Sequence, residues 1–168
     1  MTYQIGILSD THGYLSQAVK TFFMQCDEIW HCGDVGNLKI ADELASIAKL
    51  RCVAGNIDGG DVVQTFGYEQ SFNIDGCPIG LLHIGGYPGR YSKQAEQFVK
   101  KHSPKILCCG HSHILKIMYD KTNELLYINP GAAGKYGFHN RITAVRFLLI
   151  DGVPKDMEVL DVEKHTGL

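Results

Sequence analysis

The first sixty residues repeat one arrangement. A short apolar run stops at a polar loop, and a stretch with helical spacing follows. Tyr3 to Leu8 ends at Ser9-Asp10-Thr11-His12-Gly13, Glu28 to His31 ends at Cys32-Gly33-Asp34, and Leu50 to Ala54 ends at Gly55-Asn56. Runs of this length between turn residues read as buried strands. Between them, Leu15, Ala18, Val19, Phe22 and Phe23 recur at helical intervals, as do Ile40, Ala41, Leu44, Ile47 and Ala48. Strand, helix, strand, helix, strand predicts a parallel sheet with helices on its faces.

After Gly60 the rhythm turns to β. Val62-Val63, Gln70 to Ile74 and Pro78 to Leu82 are expected as strands, with Asp75-Gly76 as a hairpin turn. A helix from Ser92 to His102 leads into a strand at Lys105 to Cys109. Strand-like runs follow at Leu115 to Tyr119, Leu125 to Ile128 and Ala144 to Ile150, with Val159-Leu160 as an edge. The expected fold class is α/β: a two-layer β-sandwich of mixed sheets flanked by α-helices. The 168 residues suit one domain, 1–168, with no repeat or linker.

Composition narrows the function classes. A formal charge of −2 with mixed signs offers no basic stripe, so nucleic acid is not the expected partner. No apolar run nears the ~18–20 residues of a membrane span. Met1-Thr2-Tyr3-Gln4-Ile5 does not open like a secretion signal. Cys26, Cys32, Cys52, Cys77, Cys108 and Cys109 include no CxxC pair, and most lie in apolar stretches. Reduced structural thiols in a cytoplasmic protein are the expectation.

Chemistry gathers where the strands end, the usual ligand position in α/β folds. Five such ends carry metal-competent side chains: Asp10 with His12, Asp34, Asn56, His83, and His111 with His113. Taken singly, Asp10 could cap a helix, Gly33-Asp34 and Gly55-Asn56 could be turns, and His83 could be a core histidine. Their common placement argues for a shared task. A mixed nitrogen and oxygen set suits Mn, Fe, Zn, Co or Ni better than Ca or Mg alone. Gly131-Ala132-Ala133-Gly134-Lys135 lacks the spacing and the following Ser/Thr of a P-loop, and reads instead as small residues packing against the metal loops.

In this order the segments Ser9-Asp10-Thr11-His12-Gly13, His31-Cys32-Gly33-Asp34, Gly55-Asn56-Ile57-Asp58, Leu82-His83, Gly110-His111-Ser112-His113 and Asn129-Pro130-Gly131 resemble the calcineurin-like metallophosphoesterase superfamily. The resemblance is to its small single-domain bacterial and archaeal phosphodiesterase branch, which includes a eukaryotic retromer scaffold subunit. It implies one divalent ion on Asp10, His12 and His113, a second on Asn56, His83 and His111, and Asp34 bridging both. Manganese is the expected ion, with nickel, zinc, iron or cobalt as alternatives. The implied reaction is in-line attack of a metal-activated hydroxide on a small-molecule phosphate ester, more a diester than a monoester, with no protein nucleophile. The Asn56 amide can ligate through oxygen while its NH2 donates to phosphate. His31 could support a ligand or could be a core histidine.

Two departures qualify the match. Larger relatives carry a histidine after the asparagine, where this chain has Ile57 and then Asp58. Asp58 is therefore the candidate for orienting a ligand or a water, alongside Asp34 and Asn56. The branch's His-Gly-His becomes His83-Ile84-Gly85-Gly86-Tyr87-Pro88-Gly89, a glycine-rich loop read as a tight turn ahead of a phosphate nest. Arg90, Tyr91 and Arg141 are read as solvated, with substrate or subunit contact as the alternative. A non-catalytic scaffold and, more weakly, a nuclease remain the rival functions, and a homo-oligomer is left open.

Overall fold

In a computed structural model, which describes residues 1–164, the chain forms two five-stranded mixed sheets packed face to face. Sheet one is built from β1 (Thr2–Leu8), β2 (Glu28–His31), β3 (Lys49–Cys52), β11 (Arg141–Ile150) and β12 (Val153–Glu163), in the order β12-β11-β1-β2-β3. Sheet two contains β4 (Glu69–Ile74), β5 (Cys77–Leu82), β8 (Ile106–Cys108), β9 (Leu115–Asp120) and β10 (Leu125–Pro130), in the order β4-β5-β8-β10-β9. β1, β2 and β3 run parallel, as do β5, β8 and β10, with antiparallel strands outside them.

Period-two alternation sorts the apolar residues between two cores. Ile5, Ile7, Trp30, Val53, Val145 and Phe147 meet Ile79, Leu81, Ile106, Cys108 and Ile128 between the sheets. Leu8, Ile29, Cys52 and Ala54 point the other way, toward α1 (Gln17–Phe23), α2 (Leu38–Ala45) and α3 (Gly60–Phe66). On the far side of sheet two, α4 (Lys93–His102) lays Ala95, Phe98 and Val99 over Leu82, Leu107 and Tyr127. All four residues of β2 are buried, as a central parallel strand covered on both faces should be. The six cysteines are free and buried. No helix among the described residues is long and apolar enough to cross a membrane.

Three local expectations change. Val62-Val63 lies inside α3, whose start follows the Gly59 cap; two β-branched residues in a short window mimic a strand. The Val159-Leu160 edge is part of β12, eleven residues long. The loop after His83 is a small hairpin, β6 (Gly86–Tyr87) and β7 (Arg90–Tyr91), closed by Pro88-Gly89. Gly89 has φ +87°, which a turn with Pro then Gly at its centre requires.

Candidate metal centre

The carboxyl ends of β1, β2, β3, β5 and β8 converge on one rim of the sandwich. Backbone bonds continue past the strands and hold their loops together. The amides of Asp10, His12 and Gly13 donate to the carbonyls of Gly33, Asp34 and Val35 at 3.0, 2.9 and 2.8 Å. Gly110 N–H donates to His83 O at 2.9 Å, and the His111 amide crosses to Asp10 Oδ2 at 3.0 Å. The small-residue run after β10 packs here as expected, with Ala133 and Gly134 amides on the carbonyls of Ser9 and Asp10. A side chain at Gly55 would collide with Asp34, and one at Gly110 with Ser9 and Asp10.

Five of the candidate ligands sit in the left-handed region: Asp10, His12, Asp34, His111 and His113, with φ of 55°, 46°, 54°, 71° and 60°. Such backbone costs on the order of 1–3 kcal/mol per residue and persists where surrounding contacts impose it. Here the imposed turns aim imidazoles and carboxylates at common points.

Two groups result: Asp10, His12 and His113, and Asp34, His83 and His111, each with ligand atoms mutually within 4.8 Å. Each group takes side chains from both sheets. His113 Nε2 is 3.2 Å from Asp10 Oδ1, and His83 Nε2 is 3.2 Å from Asp34 Oδ2. Asp34 Oδ2 also lies 3.6 Å from His12 Nε2, so this one oxygen faces both groups. Its other oxygen is held by the Ile57 amide at 3.1 Å. Asn56 Oδ1 lies 3.0 Å from His111 Nδ1, within the second group's reach.

The donor set fits divalent cations. Buried side-chain atoms without a hydrogen-bond partner include Asp10 Oδ1, His12 Nε2 and His83 Nε2, all aimed into the cluster. The remaining such atom, Asp75 Oδ2, faces the N-terminal ammonium at 3.1 Å. His83 Nδ1 donates to Cys32 O at 2.8 Å, which leaves the Nε2 lone pair facing the Asp34 carboxylate. Two acceptors at that separation need a cation between them, a proton or a metal. Burial opposes charge on His83, but the neighbouring carboxylates of Asp34 and Asp10 raise its pKa above the usual value. Burial likewise opposes ionisation of Asp10 and Asp34, yet His113 beside the first and His83 beside the second hold both pKa values low. For His12 burial prevails over both carboxylates and lowers its pKa, favouring the neutral ring that binds metal.

The neighbouring expectations divide. Asp58 does not face the cluster: Oδ2 accepts from Gly55 and Val35 amides at 2.7 and 3.1 Å, and Oδ1 from Gly36 at 2.8 Å. Its carboxylate clasps the Asp34 loop to the Asn56 loop, so of the two expected tasks, orienting a ligand or a water, its bonds suit the first. His31 accepts from the Gly33 amide at 3.1 Å and pairs with Thr11 Oγ1 at 2.9 Å. Burial lowers its pKa to about 4, so it is a neutral brace and touches no ligand carboxylate. Arg141 is solvent-exposed and paired with Asp161 at 2.6 Å. Arg90 and Tyr91 instead line a cavity beside His111.

Sequence reading missed His139. Its Nδ1 lies 3.2 Å from His113 Nδ1, and its Nε2 lies 2.9 Å from Gly134 O. A carbonyl can only accept, so His139 Nε2 carries the proton and His139 Nδ1 accepts from His113. His113 Nε2 is thereby left free toward Asp10.

Comparison with known proteins places the chain in a family. The profile described as the calcineurin-like phosphoesterase superfamily domain matches residues 3–151. A probable metallophosphoesterase of Methanocaldococcus jannaschii is 33% identical over 78% of this chain and 68% of its own. A phosphodiesterase of the same organism is 25% identical over 96% and 94%. Among solved structures, a predicted phosphoesterase from Streptococcus pneumoniae superposes with a TM-score of 0.71 at 19% identity, covering 100% of this chain and 95% of that one. Vps29 of Entamoeba histolytica, complexed with zinc, gives 0.65 at 19% identity over 94% and 98%.

Proposed function

Because the chain belongs to the calcineurin-like phosphoesterase superfamily, a family of phosphoric ester hydrolases, we propose that it hydrolyses phosphodiesters with two divalent ions held at this rim. The observation that carries the reading is Asp34 Oδ2, one buried oxygen facing histidines of both candidate groups. In this reading Asp10, His12 and His113 hold one ion, Asn56, His83 and His111 the other, and Asp34 joins them. Manganese is our first choice of ion, with Ni, Zn, Fe or Co able to serve the same donors. Bound ions of this kind neutralise phosphoryl oxygens and lower the pKa of coordinated water.

The residues supply position. The Ile57 amide turns Asp34 so that its inner oxygen stays available, and Asp58 fixes the loops that carry Asp34 and Asn56. Ile57 is 47% exposed and has no proton to give, while the Asp58 carboxylate is committed to amides. Esters with good leaving groups are therefore favoured, since the departing oxygen needs little protonation. The diester preference draws support from the relative named a phosphodiesterase. The six free thiols suit a reducing compartment, which we take to be the cytoplasm.

Metal-loaded protein should hydrolyse bis(p-nitrophenyl) phosphate faster than p-nitrophenyl phosphate. Asp34→Asn should lower kcat/KM by roughly a thousandfold, the loss of several kcal/mol of charge stabilisation, and reduce bound metal by elemental analysis. Full activity with two ions retained in that variant would sink the mechanism. No turnover with any of the five metals would favour the scaffold reading.

A further inference from the structure

Beside the metal cluster, on the side of His111, lies a cavity of about 450 Å³. Its far wall is the β6–β7 hairpin, where this chain departs from the short His-Gly-His loop of its branch. The hairpin is anchored on four sides. Ser92 Oγ donates to Ile84 O at 2.8 Å and the Ser92 amide to Gly85 O at 2.9 Å. Tyr127 OH donates to Gly86 O at 2.5 Å, and Tyr91 OH to Asp120 Oδ2 at 2.8 Å. A wall braced in this way is a built surface.

Its lining combines two chemistries. Ile84, Tyr87 and Ile114 present apolar and aromatic surface, and each is more than a third exposed at 38, 39 and 66%. Arg90 and Lys116 bring two positive charges to the same cavity, and Lys116 Nζ stands 4.3 Å from the Tyr87 ring centroid. Elsewhere among the described residues Lys20, Lys49, Arg51, Lys105, Arg141 and Arg146 face carboxylates, while the other eight lysines do not. Among the described residues neither Arg90 nor Lys116 does. Unpaired cations beside exposed aromatic surface, opening onto a phosphate-handling rim, call for a ligand that is flat and negatively charged.

We propose that this cavity receives one ester arm of the substrate, and that the arm bears an aromatic ring and a second anionic group, as a nucleotide does. The ring lies against Tyr87 between Ile84 and Ile114, and the anion meets Arg90 and Lys116. The proposal rests on the phosphodiesterase reading of the adjoining rim, and it makes the hairpin the determinant of substrate choice. The volume falls within the range of small-molecule sites.

The test uses two chromogenic diesters, thymidine 5′-(p-nitrophenyl phosphate) and the same compound carrying a 3′-phosphate, on the manganese-loaded protein. The 3′-phosphorylated ester should be favoured in kcat/KM by about tenfold, the worth of one charge-assisted contact. Arg90→Gln and Lys116→Gln should each shrink that ratio toward one. Titration calorimetry with thymidine 3′,5′-bisphosphate should show about tenfold weaker binding to either variant. A ratio near one in the wild type, or a ratio and affinity unmoved by both substitutions, overturns the proposal. Bis(p-nitrophenyl) phosphate separates the two readings. If it is hydrolysed while the ratio is one, the subsite alone fails. If nothing is hydrolysed but bisphosphate affinity still falls in the variants, the enzymatic reading fails and the subsite stands.

Discussion

His113 can turn a bare Nε2 toward Asp10 because His139 takes the proton on the other side of its ring. His83 has the same arrangement with the Cys32 carbonyl as its acceptor. Such partners raise ligand basicity and fix ring orientation, and their loss weakens metal binding by about ten- to a hundredfold. His139→Ala is expected to lower manganese affinity by that factor with little change in thermal stability, and His139→Gln, which can both accept and donate, should recover part of it. Equal affinities in all three proteins would show that His139 only packs. The candidate ligands were readable in the chain because each follows a strand in a short local pattern. His139 was not, since its partner lies 26 residues away and only the fold brings the rings together. How Asp58 acts was hidden for a related reason: the amides of Val35, Gly36 and Gly55 that claim it come from two loops that only the fold brings together.

At the scale of elements, β2 shows how a charge is tolerated in a strand buried along its whole length. Glu28 opens the strand and accepts from Arg51 Nε at 2.7 Å, Lys49 Nζ at 2.7 Å and Trp30 Nε1 at 3.1 Å. Burial works against its ionisation, but the Arg51 hydrogen bond and then those of Lys49 and Trp30 prevail, so its pKa lies below the unfolded value of 4.5. A depressed carboxylate pKa gives stability that is fully present above the unfolded value and is lost as pH falls through the folded one. Urea unfolding should therefore show Glu28→Gln less stable than wild type at neutral pH, with the difference shrinking below pH 4.5. A gap that stays constant through that window would assign the loss to packing. The principal strands of both sheets were legible because apolar runs between turn residues have few other uses. Val62-Val63 and the β6–β7 hairpin were not, because seven-residue and two-residue elements carry too little periodicity to declare themselves.

Across the whole molecule, the order of the strands does what no local pattern announces. It brings the loops after β1, β2 and β3 from one sheet against those after β5 and β8 from the other, so neither sheet holds a complete ligand group. That two sheets would form was readable; which rim they would share depends on register and crossover, and these are settled by packing. The arrangement also gives the cation a place in time. Residues 10 and 113, or 34 and 111, are far apart in an extended chain, and no half-assembled sandwich offers the cation more than part of its donors. Capture therefore belongs after the docking of the halves, downhill of the folding barrier, where a ligand acts on the reverse rate. Manganese at a hundred times its Kd should add about 2.7 kcal/mol of stability. Stopped-flow measurements should find that gain almost wholly in slower unfolding, with the refolding rate of the metal-free and metal-loaded protein alike. If manganese instead quickens refolding, the donors meet before the sheets do. If it does neither, the native fold does not hold manganese at these donors, since an ion bound by the folded state alone must stabilise it.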